Sequence, residues 1–395
     1  MSLPGELVDS VVDLLGSDRP ALKVTSLLSR QWLPRSRHYL FSSIWLSAWK
    51  DADLKRVEAF FTLVSSPIAT FIPAVAEVYL RIWERADREY PARAILVTLE
   101  THGIRPTELV LDCCSHLRDV LSTPPAFTSS LVHLELNLGE EDCNLLGGIC
   151  SFPLLETLIV HATQRNISDS MLPAFTVLPP RLHTLQASNA QVLRWILGLD
   201  DQVQRQIVNL GLWNLPSSRS QWFRVPQYVE SLTFDHYVYS PYIFSLSIKK
   251  GHSSDILACW YSEGDDDCGP DLRNMRRLKY LYIRFTPLPL ILELLGRILP
   301  QLQLSPARRT LESINLHFSC VDSYDAQSWI SVDEMLSDVA TYPCLRSIVI
   351  STKDAFKFPD NHLGTPARDC KLTFLHEHLR RCSDRGLLRV DIPIA

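Results

Sequence analysis

The chain has 395 residues and a formal net charge of −5. That near-neutral balance argues against a dedicated nucleic-acid binder, because such proteins usually carry a basic surplus or a basic stripe. Apolar residues make up 46% and charged residues 21% of the chain, which excludes a disordered composition. Leucine accounts for about one residue in six, whereas only 14 residues are glycine. This excess disfavours Gly-rich phosphate loops and raises the question of a leucine-based repeat.

The N-terminal residues predict three short helices in close succession. Apolar residues of the segment 7–15 recur at helical spacing, and Gly16 is expected to end that helix. Asp18 is expected to cap a second helix that has Pro20 in its first turn. Pro34 predicts a late start for the third. Three short helices cannot bury much of their own apolar surface, so such a unit tends to dock on something.

The segments LPGELVDSVVDLL, PALKVTSLLSRQW and RSRHYLF occur in this order near the N-terminus. Together they resemble the F-box, in the F-box-like form common in fungal proteins. Ser29 departs from the pattern, since many members have Cys there. In that family the F-box binds the SKP-type adaptor of a cullin–RING ubiquitin ligase, the SCF complex.

The resemblance implies an adaptor-binding surface that is built mainly from leucines. The alternative for each single leucine is that it faces the core of the module. The implied residues are Leu3, Pro4, Leu7, Leu14, Leu15, Leu22 and Leu28.

An L-x-x-L-x-L frame recurs through the rest of the chain and predicts a series of short strands. Most spacings lie in or slightly above the range of leucine-rich repeats, about 20 to 29 residues. In the last copy, Val390 and Ile392 take the fourth and sixth positions. The clear copies begin at Leu131, Leu155, Leu182, Ile207, Val229, Leu278, Leu311 and Leu345, and weaker ones at Phe41, Val75, Pro106 and Leu387.

Helical patterns lie between many of these strands, and they predict the fold class. An α/β solenoid follows, with a parallel sheet on one side and helices on the other. The Asn or Cys usual at the ninth frame position is missing, so the repeats are expected to be irregular. This too resembles fungal F-box proteins with degenerate leucine-rich repeats. The helical stripes fall in residues 52–64, 192–197, 288–299, 335–339 and 372–379.

The predicted organisation is a small helical module followed by a long repeat domain. The F-box-like module takes residues 1–45, and the irregular leucine-rich-repeat domain takes residues 46–395. An insertion is expected at about residues 236–276, where alternating aromatic residues suggest a hairpin. Its acidic run, residues 265–267, lacks the spacing of a calcium loop and is interpreted as a solvated turn.

The sequence supplies no motif for an enzyme, and no catalytic residue, cofactor or metal is predicted. The best zinc cluster is His376, His378 and Cys382, but His376 points away from the face that the other two share on a helix. Ten cysteines without a CxxC motif and without a signal sequence are expected to be reduced. No membrane span and no nucleic-acid partner are expected, and the predicted location is cytoplasmic or nuclear.

Residues between the frame positions are expected to form an open face of the sheet. Trp, Tyr and Arg are common anchors of protein interfaces, so contact with a target protein is predicted for Trp213, Tyr280, Tyr282 and Arg284. The alternative is that insertion segments cover them. The leading hypothesis is a substrate receptor of a ubiquitin ligase, which binds the adaptor through its N-terminal helices and an unidentified target through its repeats. The other hypotheses are an interaction scaffold without ligase engagement and an enzyme.

Overall fold

The computed structural model describes most of the chain, with gaps that fall mainly between the repeats. The predicted hairpin near Tyr237, the acidic run at 265–267 and Cys114 lie outside the described residues. Those residues are 3–48, 51–66, 69, 71–82, 92–113, 126–138, 148–162, 178–188, 190–197, 205–213, 225–236, 271–320, 326–352, 373 and 375–391.

The described elements are twelve strands and the helices that precede or separate them. The strands are β1 (Ser43–Ala48), β2 (Glu77–Ile82), β3 (Glu108–Cys113), β4 (His133–Leu138), β5 (Thr157–Ala162), β6 (Thr184–Ala187), β7 (Asn209–Trp213), β8 (Ser231–His236), β9 (Tyr280–Pro287), β10 (Ser313–Cys320), β11 (Ser347–Thr352) and β12 (Leu388–Asp391). The helices are α1 (Gly5–Leu14), α2 (Arg19–Thr25), α3 (Leu33–Phe41), α4 (Asp51–Val64), α5 (Ala92–Thr101), α6 (Ala190–Leu197), α7 (Leu288–Leu304), α8 (Ala326–Ser337) and α9 (Arg380–Asp384).

The chain divides into two compact units, Met1–Leu182 and His183–Ala395. In the first unit, β1 to β5 pair in chain order and in parallel. In the second unit, β6 to β12 do the same. The α/β class and the parallel sheet are therefore confirmed, and a strand that pairs with the next in the chain is the topology of a solenoid. The domain boundary at residues 45–46 stays a prediction.

The leucine frame fixes the register of these strands. Leu134 pairs with Leu158 across β4 and β5, so the fourth frame position of one repeat lies beside the fourth position of the next. Ile314 is paired in the same way with Leu281 on one side and Ile348 on the other. All five side chains are almost completely buried. The frame read from the sequence thus forms the apolar core of both units.

The last repeat departs from the predicted frame by two residues. Leu388 pairs with Ile348 and Val390 with Ile350, so Val390 takes the sixth position and not the fourth. The first position then falls on Arg385. Its guanidinium donates to the carbonyl oxygens of Leu336 and Ser337, at 3.3 and 2.7 Å, at the end of α8. Those carbonyls have no partner within their own helix, so a cation replaces the expected apolar residue.

Helix ends in the structure follow local capping chemistry. The carboxylate of Asp18 accepts a hydrogen bond from the amide of Ala21, as the sequence predicts for the start of α2. Gly16 follows α1 but does not have the positive φ expected of a terminating glycine. A Cβ at Gly16 would instead lie 3.0 Å from the ring of Tyr39, so close packing explains the glycine. Val339 lies beyond α8 and is exposed, which corrects its predicted place on a helical stripe.

A buried carboxylate joins α8 to α9 in the second unit. Asp333 is 5% exposed. Its two oxygens accept hydrogen bonds from the backbone amides of Arg381 and Cys382, at 2.9 and 2.8 Å. These amides belong to the first turn of α9, whose own cap residue, Leu379, supplies no side-chain hydrogen bond. Asp333 therefore caps a helix from another helix.

Replacing Asp333 by Ala should lower the free energy of unfolding by about 2 to 4 kcal/mol, because two backbone amides at the start of α9 lose their side-chain acceptor. Urea denaturation followed by circular dichroism measures the change. The matched control is Glu334→Ala, which removes an exposed ion pair with Arg381 and should cost less than about 1 kcal/mol. Equal effects of the two substitutions would contradict this role of Asp333.

Candidate functional site

The first helix exposes one apolar side to solvent. Val8 and Val12, spaced four residues apart, are fully buried and attach α1 to its module. Leu7, Val11 and Leu14 lie along another side of the same helix and are exposed, Leu14 to 86%. A helix that only packed within its own module would present polar residues there. The exposed side of α1 is therefore available for contact with another molecule.

More apolar side chains are exposed at and after the end of α2. We call the whole set the N-terminal apolar surface. Among the described residues, about half of the exposed large apolar side chains belong to it. Clustered exposure of this kind marks interaction surfaces in stable proteins, whereas scattered exposed leucines are ordinary. The set is Leu3, Leu7, Val11, Leu14, Val24, Leu27 and Leu28.

A hydrogen bond links the two parts of this surface. The side-chain amide of Gln31 donates to the backbone oxygen of Leu3 at 2.8 Å. Gln31 follows Leu28 by three residues in the turn after α2. The start of α1 is thereby held beside the turn that carries Leu27 and Leu28.

An ion pair fixes α1 against α3. Both carboxylate oxygens of Asp13 accept from the Arg35 guanidinium, at 2.6 and 3.0 Å, and Tyr39 donates its hydroxyl proton to the same carboxylate at 3.1 Å. The hydrogen bond from Arg35 is the main reason that the pKa of Asp13 lies below its ordinary value of 3.8. A bidentate pair of this geometry orients both helices as well as attracting them.

A second polar contact holds α2 to α3. The hydroxyls of Thr25 and Ser36 are 3.2 Å apart, and Thr25 also donates to the backbone oxygen of Leu22. Ser36 is completely buried. The helices are thus joined by polar groups on their inner sides, which leaves the N-terminal apolar surface on the outside.

The structure separates the residues that the sequence assigned to adaptor binding. Leu3, Pro4, Leu7, Leu14 and Leu28 are exposed, and Leu15 is half-buried. Leu22 is completely buried in the module, so it is a core residue and is left out of the proposed surface.

Three members of the surface were not assigned from the sequence, namely Val11, Val24 and Leu27. Val11 could have been found, because it follows Leu7 by four residues on the exposed side of α1. Val24 and Leu27 depend on how α2 packs, which the sequence does not state.

The residues assigned to target contact lie on the second unit. Tyr280 and Tyr282 are 38% and 39% exposed, and they alternate on β9 with the buried Leu281 and Ile283. Arg284 is half-buried on the same face. The open side of β9 is thus confirmed, while contact with a target stays a prediction.

The strands beside β9 explain the exposure of the two tyrosine rings. Tyr280 pairs with Ser231 and Ser313, and Tyr282 pairs with Thr233 and Asn315. These small polar side chains do not cover the rings. Trp213 ends β7 and pairs there with Asp235, but its side chain lies outside the described part of the structure.

Two members of the candidate zinc cluster, His376 and Cys382, have other surroundings in the described residues. Nδ1 of His376 is 2.8 Å from the hydroxyl of Ser383. Cys382 is buried, and burial together with the nearby Asp333 raises the pKa of its thiol. Within the described ranges, no group of three His, Cys, Asp or Glu side chains is placed to hold a metal ion. None of the described helices is long and apolar enough to cross a membrane.

Comparisons with known proteins give no match: neither a protein-family model nor a curated protein is significantly similar to this chain. The functional argument therefore depends on the geometry of the chain itself.

The ion pair between α1 and α3 generates a pH-dependent expectation. A carboxylate whose pKa is lowered in the folded state stabilises that state above the unfolded pKa, and the contribution is lost as pH falls through the folded value. Asp13→Asn should therefore reduce hydrogen-exchange protection of α1 and α3 at pH 7. The difference in hydrogen-exchange protection between this variant and the unsubstituted protein should become smaller as the pH falls below 3.8.

Protection factors of the amides in α1 and α3, corrected for intrinsic exchange, measure this effect. The control Asp9→Asn removes the same charge from the same helix and keeps the contacts with Arg35 and Tyr39, so it should lower protection less. A difference for Asp13→Asn that stays constant from pH 7 to pH 3 would disprove the linkage.

Proposed function

We propose that this chain is the substrate-recognition subunit of an SCF-type cullin–RING ubiquitin ligase. In this proposal the N-terminal apolar surface binds the SKP-type adaptor, and the repeats bind a target protein. The chain carries out no bond chemistry itself; it raises the local concentration of the target near the charged ubiquitin carrier. The observation that carries the proposal is the cluster of exposed leucines on a three-helix unit with F-box-like sequence order.

The energetics of the surface support a partner. Burying an exposed leucine side chain contributes roughly 1.5 to 3 kcal/mol, so a handful of such residues supplies enough free energy for a stable complex after the cost of association. The helical side chains Leu7, Val11 and Leu14 suit an apolar groove of the partner. The polar pair of Asp13 and Arg35 stays half-exposed and would lie at the rim.

A second candidate function is an interaction scaffold that keeps the repeats but does not engage a ligase. The exposed aromatic rings of Tyr280 and Tyr282 favour target binding under either function. Adaptor binding distinguishes the two, since only the ligase subunit requires it.

The double substitution Leu7→Asp with Leu14→Asp should weaken adaptor binding by about 100-fold or more, because two apolar anchors become charges that must be desolvated. Both side chains are exposed in the free chain, so the fold should be kept. Co-expression with the SKP-type adaptor, a pull-down and a dissociation constant from isothermal titration measure the effect.

The control is Leu304→Asp, which makes the same kind of substitution once, on an exposed leucine of α7 in the second unit. Adaptor affinity should be unchanged by it. If the unsubstituted chain binds no adaptor, the scaffold function is favoured. If the double variant binds as well as the unsubstituted chain, the proposed surface is wrong.

Tyr280→Ala with Tyr282→Ala should reduce recovery of target proteins about tenfold, because aromatic anchors dominate interface energies. Quantitative mass spectrometry of proteins that co-purify with the full chain measures the recovery, with the adaptor as internal standard. Ile330→Ala on α8 removes an apolar side chain of the same 39% exposure and should leave recovery unchanged. Unchanged recovery with the double tyrosine variant would contradict target contact at β9.

A further inference from the structure

The first unit has an open face whose chemistry differs from that of β9. In β1 to β5, every second residue is buried, as Val78 and Leu80 are in β2. The alternate residues point to the other side of the sheet, because successive side chains of a strand alternate. We call these outward residues the first open face. They are Ser43, Trp45, Ser47, Glu77, Tyr79, Arg81, Glu108, Asp112, His133, Glu135, Asn137, Thr157, Ile159 and His161, while Val110 shares this side of β3 but is buried.

Two aromatic rings dominate one end of this face. Trp45 and Tyr79 are register partners on β1 and β2, and their rings stack at 4.6 Å between centroids with 23° between planes. Trp45 is nevertheless 72% exposed. One side of the indole therefore contacts Tyr79, and much of the remaining ring surface meets solvent. An indole held in a fixed orientation with an open surface is a favourable site for a cation, since the ring quadrupole attracts positive charge.

Carboxylates surround the stacked pair. The hydroxyl of Tyr79 donates to Glu108 at 3.0 Å, and Glu77 precedes Tyr79 by two residues on the same face. Burial of the phenol, the hydrogen bond to Glu108 and the charges of Glu77 and Glu135 together raise the pKa of Tyr79 to about 12. The carboxylates of Glu77 and Glu108 therefore place negative charge beside the aromatic pair.

The charges of the whole face have one predominant sign. Four carboxylates, those of Glu77, Glu108, Asp112 and Glu135, share it with one guanidinium, that of Arg81. The Arg81 guanidinium pairs with Asp112 at 3.1 Å, and Nε2 of His161 lies at the same distance from a carboxylate oxygen of Glu135. Glu77 and Glu108 remain directly beside the aromatic stack. A polyanion such as nucleic acid would be repelled here, and a cation would be attracted.

We propose that the first open face binds a basic peptide segment, with one Lys or Arg side chain on the exposed indole of Trp45 and a second beside Glu77 and Glu108. Adjacent strands lie about 4.8 Å apart, so five strands present roughly 19 Å of surface. That length suits an extended peptide with several cations better than a single small ammonium ion. The site shares no residue with the N-terminal apolar surface or with Tyr280 and Tyr282, so its test does not require an adaptor.

Fluorescence anisotropy of a fluorescein-labelled peptide, Gly-Arg-Lys-Gly-Arg-Lys-Gly-Arg-Lys, with the full chain at low ionic strength tests the proposal. Saturable binding that weakens as salt is added is expected, because exposed charges are screened. Trp45→Ala should weaken binding about two- to fivefold, the range of a cation–π contact at an exposed site. Glu77→Gln with Glu108→Gln should weaken it at low salt and reduce the dependence on salt.

The matched control is Glu58→Gln with Glu100→Gln, which removes the same charge from helices α4 and α5 of the same unit and should leave affinity within twofold. Melting temperatures of all variants are compared first. If Trp45→Ala lowers the melting temperature, the variant Glu77→Gln with Glu108→Gln tests the proposal in its place.

Three results would overturn the proposal. The first is equal affinity of the unsubstituted chain and both face variants. The second is equal binding of a peptide in which Glu replaces every Arg and Lys. The third is free arginine binding as tightly as the peptide, which would make a small cation and not a peptide the occupant.

Discussion

Burial of the recurring apolar frame is the constraint on which both units depend. Each short strand has too little apolar surface to be stable alone, so the fourth and sixth positions of one repeat must lie beside those of the next. The pairing of Leu134 with Leu158, and of Ile314 with Ile348, satisfies this requirement. A shift of one residue would turn every frame side chain to solvent. The opposite faces are consequently positioned by the core but are free to vary in chemistry.

Much of the fold could be predicted from the sequence because the L-x-x-L-x-L frame recurs. Each copy can be recognised even though the intervals between copies vary. The failures occur where polar side chains bind backbone groups. Arg385 takes a frame position because it binds carbonyl oxygens of α8, and Asp338 ends the helical pattern near Val339 by accepting from the amide of Ala340. The carbonyl oxygens that Arg385 binds belong to residues 48 and 49 positions earlier in the chain, so one repeat alone does not predict them. The sequence also did not predict which N-terminal leucines are exposed. Leu22 and Leu28 fit the same motif, but packing buries Leu22 and leaves Leu28 exposed.

The N-terminal module illustrates how a small unit can be ordered while it exposes its apolar residues. Its helices are joined by the polar contacts of Asp13 with Arg35 and of Thr25 with Ser36, so fewer apolar side chains are needed inside. Val8, Val12 and Leu22 supply the buried apolar contacts. The remaining apolar side chains stay exposed to water, which is unfavourable, and contact with a partner would remove them from water. This division between polar joints and an apolar exterior is the physical basis for proposing an adaptor-bound protein.

The three exposed surfaces use different interactions, so they respond differently to solvent conditions. Contacts of Leu7 and Leu14 would be hydrophobic and only weakly affected by moderate salt. The attraction of a cation to Glu77 and Glu108 is electrostatic, and salt screens it over a Debye length of about 10 Å at 0.1 M. Tyr280 and Tyr282 pair with uncharged residues on both neighbouring strands, and Arg284 adds one cation to the same face, so this surface falls between these extremes. A partner that binds through the first open face should therefore dissociate as salt is added, whereas a partner that binds through the N-terminal apolar surface should stay bound. The salt dependence of the affinity thus indicates which surface a bound protein occupies, because the three surfaces carry different numbers of charged side chains.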